Sequence, residues 1–230
     1  MNETQIIDYL QSISNEERKQ KMKRFGIDTT SALGIPVSEL RTVARKIGKN
    51  HDLALRLWQT HIHEVQMLAA LIDIPKEVTE EQMDAWALDF NSWDLCDHCC
   101  YNLFDKTIFA RKKIDEWSKR KEEFVKRASF SLIAALATHD KKASNESFET
   151  FFPIILRESI DERKYVKKAV NWALRNIGKR NLVLNKRSIE IAEEMLKKNN
   201  KTSRWIAKDA INELTSEKIR NRVRKKSLEK

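Results

Sequence analysis

Apolar residues recur along most of the chain at the three- and four-residue spacing of an amphipathic α-helix. In residues 163–180, drawn at about 100° per residue, one side of the helix is wholly apolar. That side consists of Val166, Ala169, Val170, Ala173, Leu174 and Ile177. Sparse turn signals, such as Gly34-Ile35-Pro36 and Asn199-Asn200, separate pieces of helix length. The pattern predicts a dozen or so short helices joined by tight connections.

Four of the predicted helices share one pattern, in which a β-branched residue is followed by two mostly polar residues and then by small ones. The segments are 63–69, 123–128, 164–169 and 204–209. The intervals from Val125 to Val166 and from Val166 to Ile206 are 41 and 40 residues, the length of a HEAT-type helix pair. Such pairs stack into a curved solenoid whose second helices line a concave face. The spacing favours an all-α, HEAT-like helical-repeat solenoid; an irregular helical bundle is the alternative.

Composition supports the helical interpretation. The 230 residues include only 4 Gly and 3 Pro, too few for the hairpins of a turn-rich β-sandwich or barrel. We expect a single helical-repeat domain over residues 1–230, ending in a basic tail at 218–230. Seven Lys and Arg residues in this tail oppose one acid, Glu229. The tail is interpreted either as a solvated, frayed terminal helix or as a basic arm that adds phosphate contacts.

The chain lacks the features of a membrane or secreted protein. Its longest uncharged apolar run, residues 128–139, is far shorter than the roughly 20 residues that cross a bilayer. The first ten residues contain Glu3 and Asp8 but no Lys or Arg, so a signal-peptide start is missing. The three cysteines lie within five residues and cannot cross-link the fold. We expect a cytoplasmic monomer with no membrane partner.

The excess positive charge is concentrated on the predicted repeat helices. The formal net charge is +10, which by itself does not distinguish nucleic acid from other anionic partners. In the helix over 163–180, four cations lie opposite the apolar side: Lys164, Lys168, Arg175 and Lys179. This face of the helix has no acid, and Trp172 lies beside it. Cations with an interleaved tryptophan are typical of a surface that binds phosphates and stacks on sugars or bases, although a solvated face is the alternative.

The same cationic position recurs in the preceding repeat. Arg127 has the offset from Val125 that Lys168 has from Val166. The cations therefore align between repeats as well as within one, which indicates an extended basic groove. No face rich in Lys and Arg is opposed by the large apolar face of a membrane-surface helix, so nucleic acid is the favoured partner.

A short helix is predicted after the capping residue Ser92, with Trp93 and Asp97 one turn apart on one of its sides. Leu95, Cys99 and Leu103 make the opposite side apolar, so we expect the helix to be central. A half-buried carboxylate beside an indole is costly unless it is paired or used. Asp97 is therefore a candidate catalytic group; its alternative role is as the ion-pair partner of a groove cation such as Arg127.

The cysteines of this helix, Cys96, Cys99 and Cys100, lie next to Asp97 and His98 and invite a metal interpretation. Structural zinc normally takes four ligands from two separated pairs, and the chain has no second pair. A nucleophilic Cys-His pair is equally disfavoured, because adjacent helical residues point about 100° apart. We expect buried thiols, and neither a metal nor a cofactor.

Three segments together resemble one protein family. They are Ser92-Trp93-Asp94-x-x-Asp97, Phe124-Val125-Lys126-Arg127-Ala128 and Val166-Lys167-Lys168-Ala169-Val170-Asn171-Trp172-Ala173-Leu174-Arg175. They are similar to the AlkD-type DNA alkylation repair glycosylases, which are built of HEAT-like repeats. The resemblance implies excision of 3-methyladenine and 7-methylguanine from duplex DNA without flipping the base into a pocket.

The resemblance also implies roles for individual residues. Trp93 and Trp172 would pack on the deoxyribose of the lesion, and Asp97 would be the catalytic carboxylate. Arg127 would hold a backbone phosphate. The groove would be completed by Lys164, Lys168, Arg175 and Lys179. The chain departs from the family at Phe25, near which characterised members tend to have a tyrosine.

The chemistry of the substrate agrees with a single carboxylate. Glycosidases usually need a second carboxyl group to protonate the leaving group, but an N3- or N7-alkylated purine already carries positive charge. Our leading hypothesis is a DNA glycosylase for such purines that uses neither metal nor cofactor. The alternatives are a non-catalytic helical-repeat protein that binds DNA or RNA, and a scaffold for acidic protein segments.

Overall fold

The computed structural model describes residues 1–228, and all regular structure in that range is helical. It comprises fifteen α-helices and one short 3₁₀ helix. No helix in the described range is both long and apolar enough to cross a membrane. The chain forms two compact units, Met1–Ala110 and Arg111–Lys230. The prediction of one domain with a tail from residue 218 stays a prediction.

The first unit is a set of seven α-helices and the 3₁₀ helix. They are α1 (Glu3–Ser12), α2 (Glu16–Arg24), α3 (Val37–Ile47), α4 (His51–Trp58), α5 (His63–Ile72), α6 (Glu80–Leu88), α7 (Trp93–Asn102) and the 3₁₀ helix Phe104–Lys106. Helix α5 is buried along almost its whole length and packs against α3, α4 and α7. Next to it, the rings of Trp58 and Trp86 stack at 3.9 Å between centroids. A helix that is buried on almost every side lies at the centre of its unit, as α5 does.

Asparagine and hydroxyl side chains define where many of these helices begin. Asn2, Asn15, Asn50 and Thr79 each accept a hydrogen bond from a backbone N–H in the first turn of the following helix. These N–H groups have no partner within the helix, so a side-chain acceptor stabilises the end.

A buried carboxylate holds the turn that precedes α3. Glu64, fully buried in α5, accepts hydrogen bonds from the backbone N–H groups of Leu33, Gly34 and Ile35 at 2.7, 2.7 and 3.1 Å. Gly34 has φ +78°, and a Cβ there would lie 2.2 Å from the carbonyl oxygen of Asn15. The turn therefore requires glycine at this position, both for its backbone conformation and for the close approach.

The second unit contains the predicted repeats. Its helices are α8 (Ala110–Ser118), α9 (Glu123–His139), α10 (Asn145–Glu149), α11 (Phe152–Glu158), α12 (Lys164–Gly178), α13 (Leu182–Lys197), α14 (Lys201–Thr215) and α15 (Glu217–Leu228). Helix α12 packs against α9 on one side and α14 on the other. A Cβ at Gly178 would lie 2.7 Å from a methyl group of Leu214, which shows how closely α12 and α14 approach. The helices that begin the predicted 41- and 40-residue repeats are thus neighbours in space.

The basic C-terminal segment is helical where the structure describes it. Ile219 and Val223 of α15 are buried and form a cluster with Leu214 of α14. The exposed cations of this helix are Lys218, Arg220, Arg222, Arg224 and Lys225. The first part of the predicted tail is therefore attached to the unit by apolar contacts. Glu229 and Lys230 lie outside the described residues.

Candidate functional site

The residues predicted to act together are divided between the two units. Phe25, Trp93 and Asp97 belong to the first unit. The second unit carries Arg127, Lys164, Lys168, Trp172, Arg175 and Lys179.

Trp93 is the first residue of α7 and is anchored on the end of α2. Its indole Nε1 donates a hydrogen bond to the backbone carbonyl of Phe25 at 3.2 Å. Phe25 is the residue that ends α2, and its side chain is 70% exposed. Ser92 is the N-cap residue as predicted, but its side chain makes no capping hydrogen bond. The structure thus brings Trp93 and Phe25 together, and it holds the half-buried indole by its N–H group.

Asp97 lies one turn further along α7 and is half-buried. The opposite side of α7, with Leu95 and Cys99, is completely buried, so the prediction of a central helix is confirmed. The cysteines are buried as well, and burial raises the pKa of the Cys99 and Cys100 thiols well above the usual value. These thiols therefore stay protonated, which makes them poor ligands and poor nucleophiles.

A second carboxylate holds the start of α7 against α5. Oδ2 of Asp94 lies 3.0 Å from Nε2 of the buried His63. Burial alone would lower the pKa of His63, but the hydrogen bond and charge of Asp94, together with the charges of Glu64 and Asp28, raise the pKa overall. Burial would raise the pKa of Asp94, whereas His63 lowers it overall. The sequence did not indicate this histidine, which lies 31 residues from Asp94 along the chain.

His98, which follows Asp97 in α7, is buried and neutral. Burial lowers its pKa to about 4, and its Nε2–H donates to the carbonyl oxygen of Met67 at 3.0 Å. His98 therefore supports α7 against α5 and carries no charge near neutral pH.

In the second unit, Arg127 connects two successive repeats. Its side chain is buried, and Nη1 donates to the backbone carbonyl of Tyr165, at the start of α12, at 2.7 Å. Lys168, which has the same offset in the next repeat, is exposed. The matching offsets predicted that both cations line one basic groove, but α12 packs over α9 and covers Arg127.

The apolar side of α12 is buried as predicted, and its cationic side is divided. Lys164 and Lys168 in the first two turns are exposed. At the end of the helix, Arg175 and the C-cap residue Lys179 both contact the carboxylate of Glu213 on α14, with Lys179 Nζ at 3.0 Å from Oε1. As the sequence indicated, α12 itself has no acid on this face, but the neighbouring helix α14 brings the Glu213 carboxylate to it. Burial would raise the pKa of Glu213, but the two cations lower it overall.

Trp172 is half-buried on α12, three positions before Arg175. The adjacent Asn171 is buried and donates from Nδ2 to Oδ2 of Asp209 on α14 at 2.6 Å. Asp209 also lies 3.6 Å from Arg175. The face of α12 that carries Trp172 is thus joined to α14 by several polar contacts.

Sequence reasoning overlooked the exposed face of α14. Arg204 and Lys208 stand 40 residues after Lys164 and Lys168, in the same repeat register, and both are exposed. The repeat interval alone could have identified these cations, since it places them one repeat after Lys164 and Lys168.

Comparison with known proteins connects these features to one family. The model of a family described as DNA alkylation repair enzyme matches residues 6–214. The uncharacterized protein Lin0241 of Listeria innocua is 26% identical over 119 residues, covering 48% of this chain and 53% of that protein. Lmo0209 of Listeria monocytogenes is 27% identical over 89 residues, covering 37% and 40%. The matches thus span about half the length of these curated relatives, or less.

A solved structure matches over most of the chain. It is described as a new family of proteins related to the HEAT-like repeat DNA glycosylases with affinity for branched DNA structures. The match covers 93% of this chain and 95% of the other, with a TM-score of 0.76 and 21% identity. The likeness confirms the predicted all-α, HEAT-like helical-repeat fold.

Proposed function

Because the chain belongs to the DNA alkylation repair enzyme family, we propose that it is a DNA glycosylase that releases cationic alkylated purines from duplex DNA. The observation that carries the proposal is the arrangement on α7. A half-buried carboxylate, Asp97, lies one turn from an indole, Trp93, which is held through its N–H on the Phe25 carbonyl. An aromatic ring with a neighbouring carboxylate suits a reaction in which a sugar becomes positively charged.

The proposed reaction needs one carboxylate. In 3-methyladenine and 7-methylguanine nucleotides, the base already carries the positive charge. The bond between C1′ and N9 breaks, and its electron pair neutralises the purine without a general acid. Asp97 stabilises the cation that develops at C1′, and water adds there with loss of a proton. The products are the free base and an abasic sugar.

In this proposal, Trp93 and Trp172 contact the deoxyribose of the lesion, and the cations hold the DNA backbone. Lys164 and Lys168 are exposed and take phosphates directly. Arg127 contributes mainly by holding α12 in place, because its side chain is buried against the start of that helix. We further propose that the protein acts as a monomer in the cytoplasm, where its three buried cysteines stay reduced.

The test is base release from a DNA duplex containing 7-methylguanine, with the free base measured by chromatography. We expect release by the wild type and a loss of about 10²–10³-fold in Asp97→Asn, the usual effect of removing one charge-stabilising group. The matched control is Asp52→Asn, which changes an exposed aspartate of the same unit. Absence of base release by the wild type would contradict the proposal, as would equal rates for wild type and Asp97→Asn.

The second candidate function is DNA binding without catalysis. The resemblance implies that Arg127 holds a phosphate in the glycosylases, but here this side chain is buried and donates to the Tyr165 carbonyl. This difference from the glycosylases favours the second candidate. The matching solved structure is described as having affinity for branched DNA. This function predicts salt-dependent binding that is tighter on forked than on plain duplex DNA and that Asp97→Asn leaves unchanged.

A further inference from the structure

Helix α14 presents a tryptophan to solvent. Trp205 is 43% exposed, whereas Trp58, Trp86 and Trp117 are buried and the remaining two tryptophans are half-buried. An indole is large and apolar, so leaving it in water gives up the free energy of burying it. Exposed aromatic side chains of this kind are common where a protein stacks on a ligand.

The indole is surrounded by cations of its own helix. Lys201, Arg204 and Lys208 lie at positions −4, −1 and +3 relative to Trp205, which places all four residues on one face of α14. All three cations are exposed, and together with Asn199 they line an open depression around the indole. We call these four residues, Lys201, Arg204, Trp205 and Lys208, the Trp205 platform.

The positive charge of the platform is not neutralised by carboxylates within the described part of the chain. Arg204 donates to neutral acceptors, the carbonyl of Lys198 and the amide oxygen of Asn199. The two acids of α14, Asp209 and Glu213, contact residues of α12. The platform therefore combines three positive charges with one stacking surface, a combination that fits a polyanion with flat bases.

The platform continues onto the neighbouring helix. Nζ of Lys167 on α12 lies 5.4 Å from the centre of the Trp205 ring, close enough for cation–π attraction that orients the indole. Lys167 lies between Lys164 and Lys168, the two exposed cations of α12. A strand that follows the exposed cations of α12 would therefore meet the Trp205 platform next.

We propose that the Trp205 platform binds an unpaired nucleotide of DNA, with the base stacked on the indole and the flanking phosphates held by Lys201, Arg204 and Lys208. The proposal rests on the DNA binding in the proposed function and specifies the substrate class: duplex DNA with an adjoining single-stranded segment. Paired bases are stacked on one another within a duplex, so an unpaired base is the one available to a protein ring.

The experiment compares two labelled DNAs by fluorescence anisotropy, a blunt duplex and the same duplex with a single-stranded overhang. We expect Trp205→Ala to weaken binding of the overhang DNA about tenfold, the usual scale for one base stacked on an aromatic ring, and to leave the blunt duplex unchanged. Trp205→Phe, which keeps a ring, should retain most of the affinity. The matched control is Leu196→Ala, which removes another exposed apolar side chain of the same unit.

Two further arms separate stacking from charge. With an overhang made of abasic nucleotides, wild type and Trp205→Ala should bind equally, because no base remains to stack. The double variant Lys201→Gln, Lys208→Gln should make the salt dependence shallower, reducing the magnitude of the slope of log K against log salt by about 1.5. Each single-strand phosphate contact contributes about 0.7 to this slope, and each duplex contact about 0.9. Lys141→Gln with Lys142→Gln removes the same charge from an exposed loop and should change the slope less.

The outcomes distinguish the platform from the proposed function. If wild type and Trp205→Ala bind the overhang DNA equally while both bind duplex, the platform is refuted and DNA binding stands. If the wild type binds neither DNA, both proposals fall. If polyglutamate displaces the overhang DNA as effectively as unlabelled DNA does, the surface belongs to acidic protein segments and the platform is again refuted.

Discussion

Replacing Glu213 with glutamine should strengthen DNA binding. In the structure, its carboxylate contacts both Arg175 and Lys179, the two cations at the C-terminal end of α12. Glutamine keeps the size of the side chain and removes the negative charge, so the two cations lose this counter-charge and attract phosphates more strongly. The cost in stability should be about 1 kcal/mol, because these groups are still 19–29% exposed and water already weakens the ion pairs.

The magnitude follows from counterion release. Each phosphate that the protein neutralises on duplex DNA steepens the slope of log K against log salt by about 0.9. One such contact therefore contributes a factor of nearly ten in affinity at ~0.1 M salt, compared with ~1 M salt. Lys179 loses its ion pair with Glu213, whereas Arg175 keeps Asp209 at 3.6 Å. We therefore expect a gain between about tenfold, for one cation, and about sixtyfold, for both, with the slope steeper by about 0.9 to 1.8.

The assay is a salt titration of the affinity for duplex DNA, with Glu190→Gln as the matched control. Glu190 is paired with Arg187 on α13, so its replacement changes the net charge equally but releases a cation elsewhere. If both variants gain equally, only total charge matters, and our reasoning about the cationic face of α12 is refuted. A weaker affinity in Glu213→Gln with unchanged folding would refute it as well.

Two other predictions concern the first unit. Glu64→Gln replaces one of the two acceptor oxygens with an NH₂ donor and so weakens the Leu33–Ile35 turn, and urea unfolding should show a free energy of unfolding lower by about 2–3 kcal/mol. The exposed control Glu81→Gln should leave the free energy of unfolding almost unchanged, and equal losses in both variants would contradict the role of the carboxylate. Because folding raises the pKa of His63, the charged histidine contributes its full stabilisation of the fold below pH 6.5. Because folding lowers the pKa of Asp94, the charged aspartate contributes its full stabilisation above pH 3.8. The stability difference between wild type and Asp94→Asn should therefore be greatest between pH 3.8 and 6.5 and should shrink as His63 deprotonates at higher pH; a difference that stays constant above pH 6.5 would exclude the pair as its source.

Much of the fold could be predicted because helical periodicity is a local property. The apolar positions of α12, from Val166 to Ile177, are buried as the spacing indicates. The repeat intervals found between Val125, Val166 and Ile206 correspond to helices that pack against each other. The central position of α7 followed from the apolar side that Leu95, Cys99 and Leu103 form. Each of these features depends only on which residues share a face of a helix.

The ionic surroundings of the candidate site could not be predicted in the same way. Glu213 is 34 and 38 residues from its partners Lys179 and Arg175, and His63 is 31 residues from Asp94. Any exposed carboxylate on a neighbouring repeat would have been an equally good candidate from the sequence. Charge pairing depends on side-chain positions within about 4 Å, and a helical pattern specifies no such distance between repeats.

The sequence by itself determined that this chain is helical, that its helices repeat at about 40-residue intervals, and that Trp93, Asp97 and a row of cations are its candidate functional residues. Only the tertiary structure decided which cations face solvent. It covers Arg127 with α12, pairs Arg175 and Lys179 with a carboxylate of α14, and exposes Trp205 among cations. The physical reason is that amphipathicity is set within one helix, whereas exposure and ion pairing are set by the neighbour that packs against it.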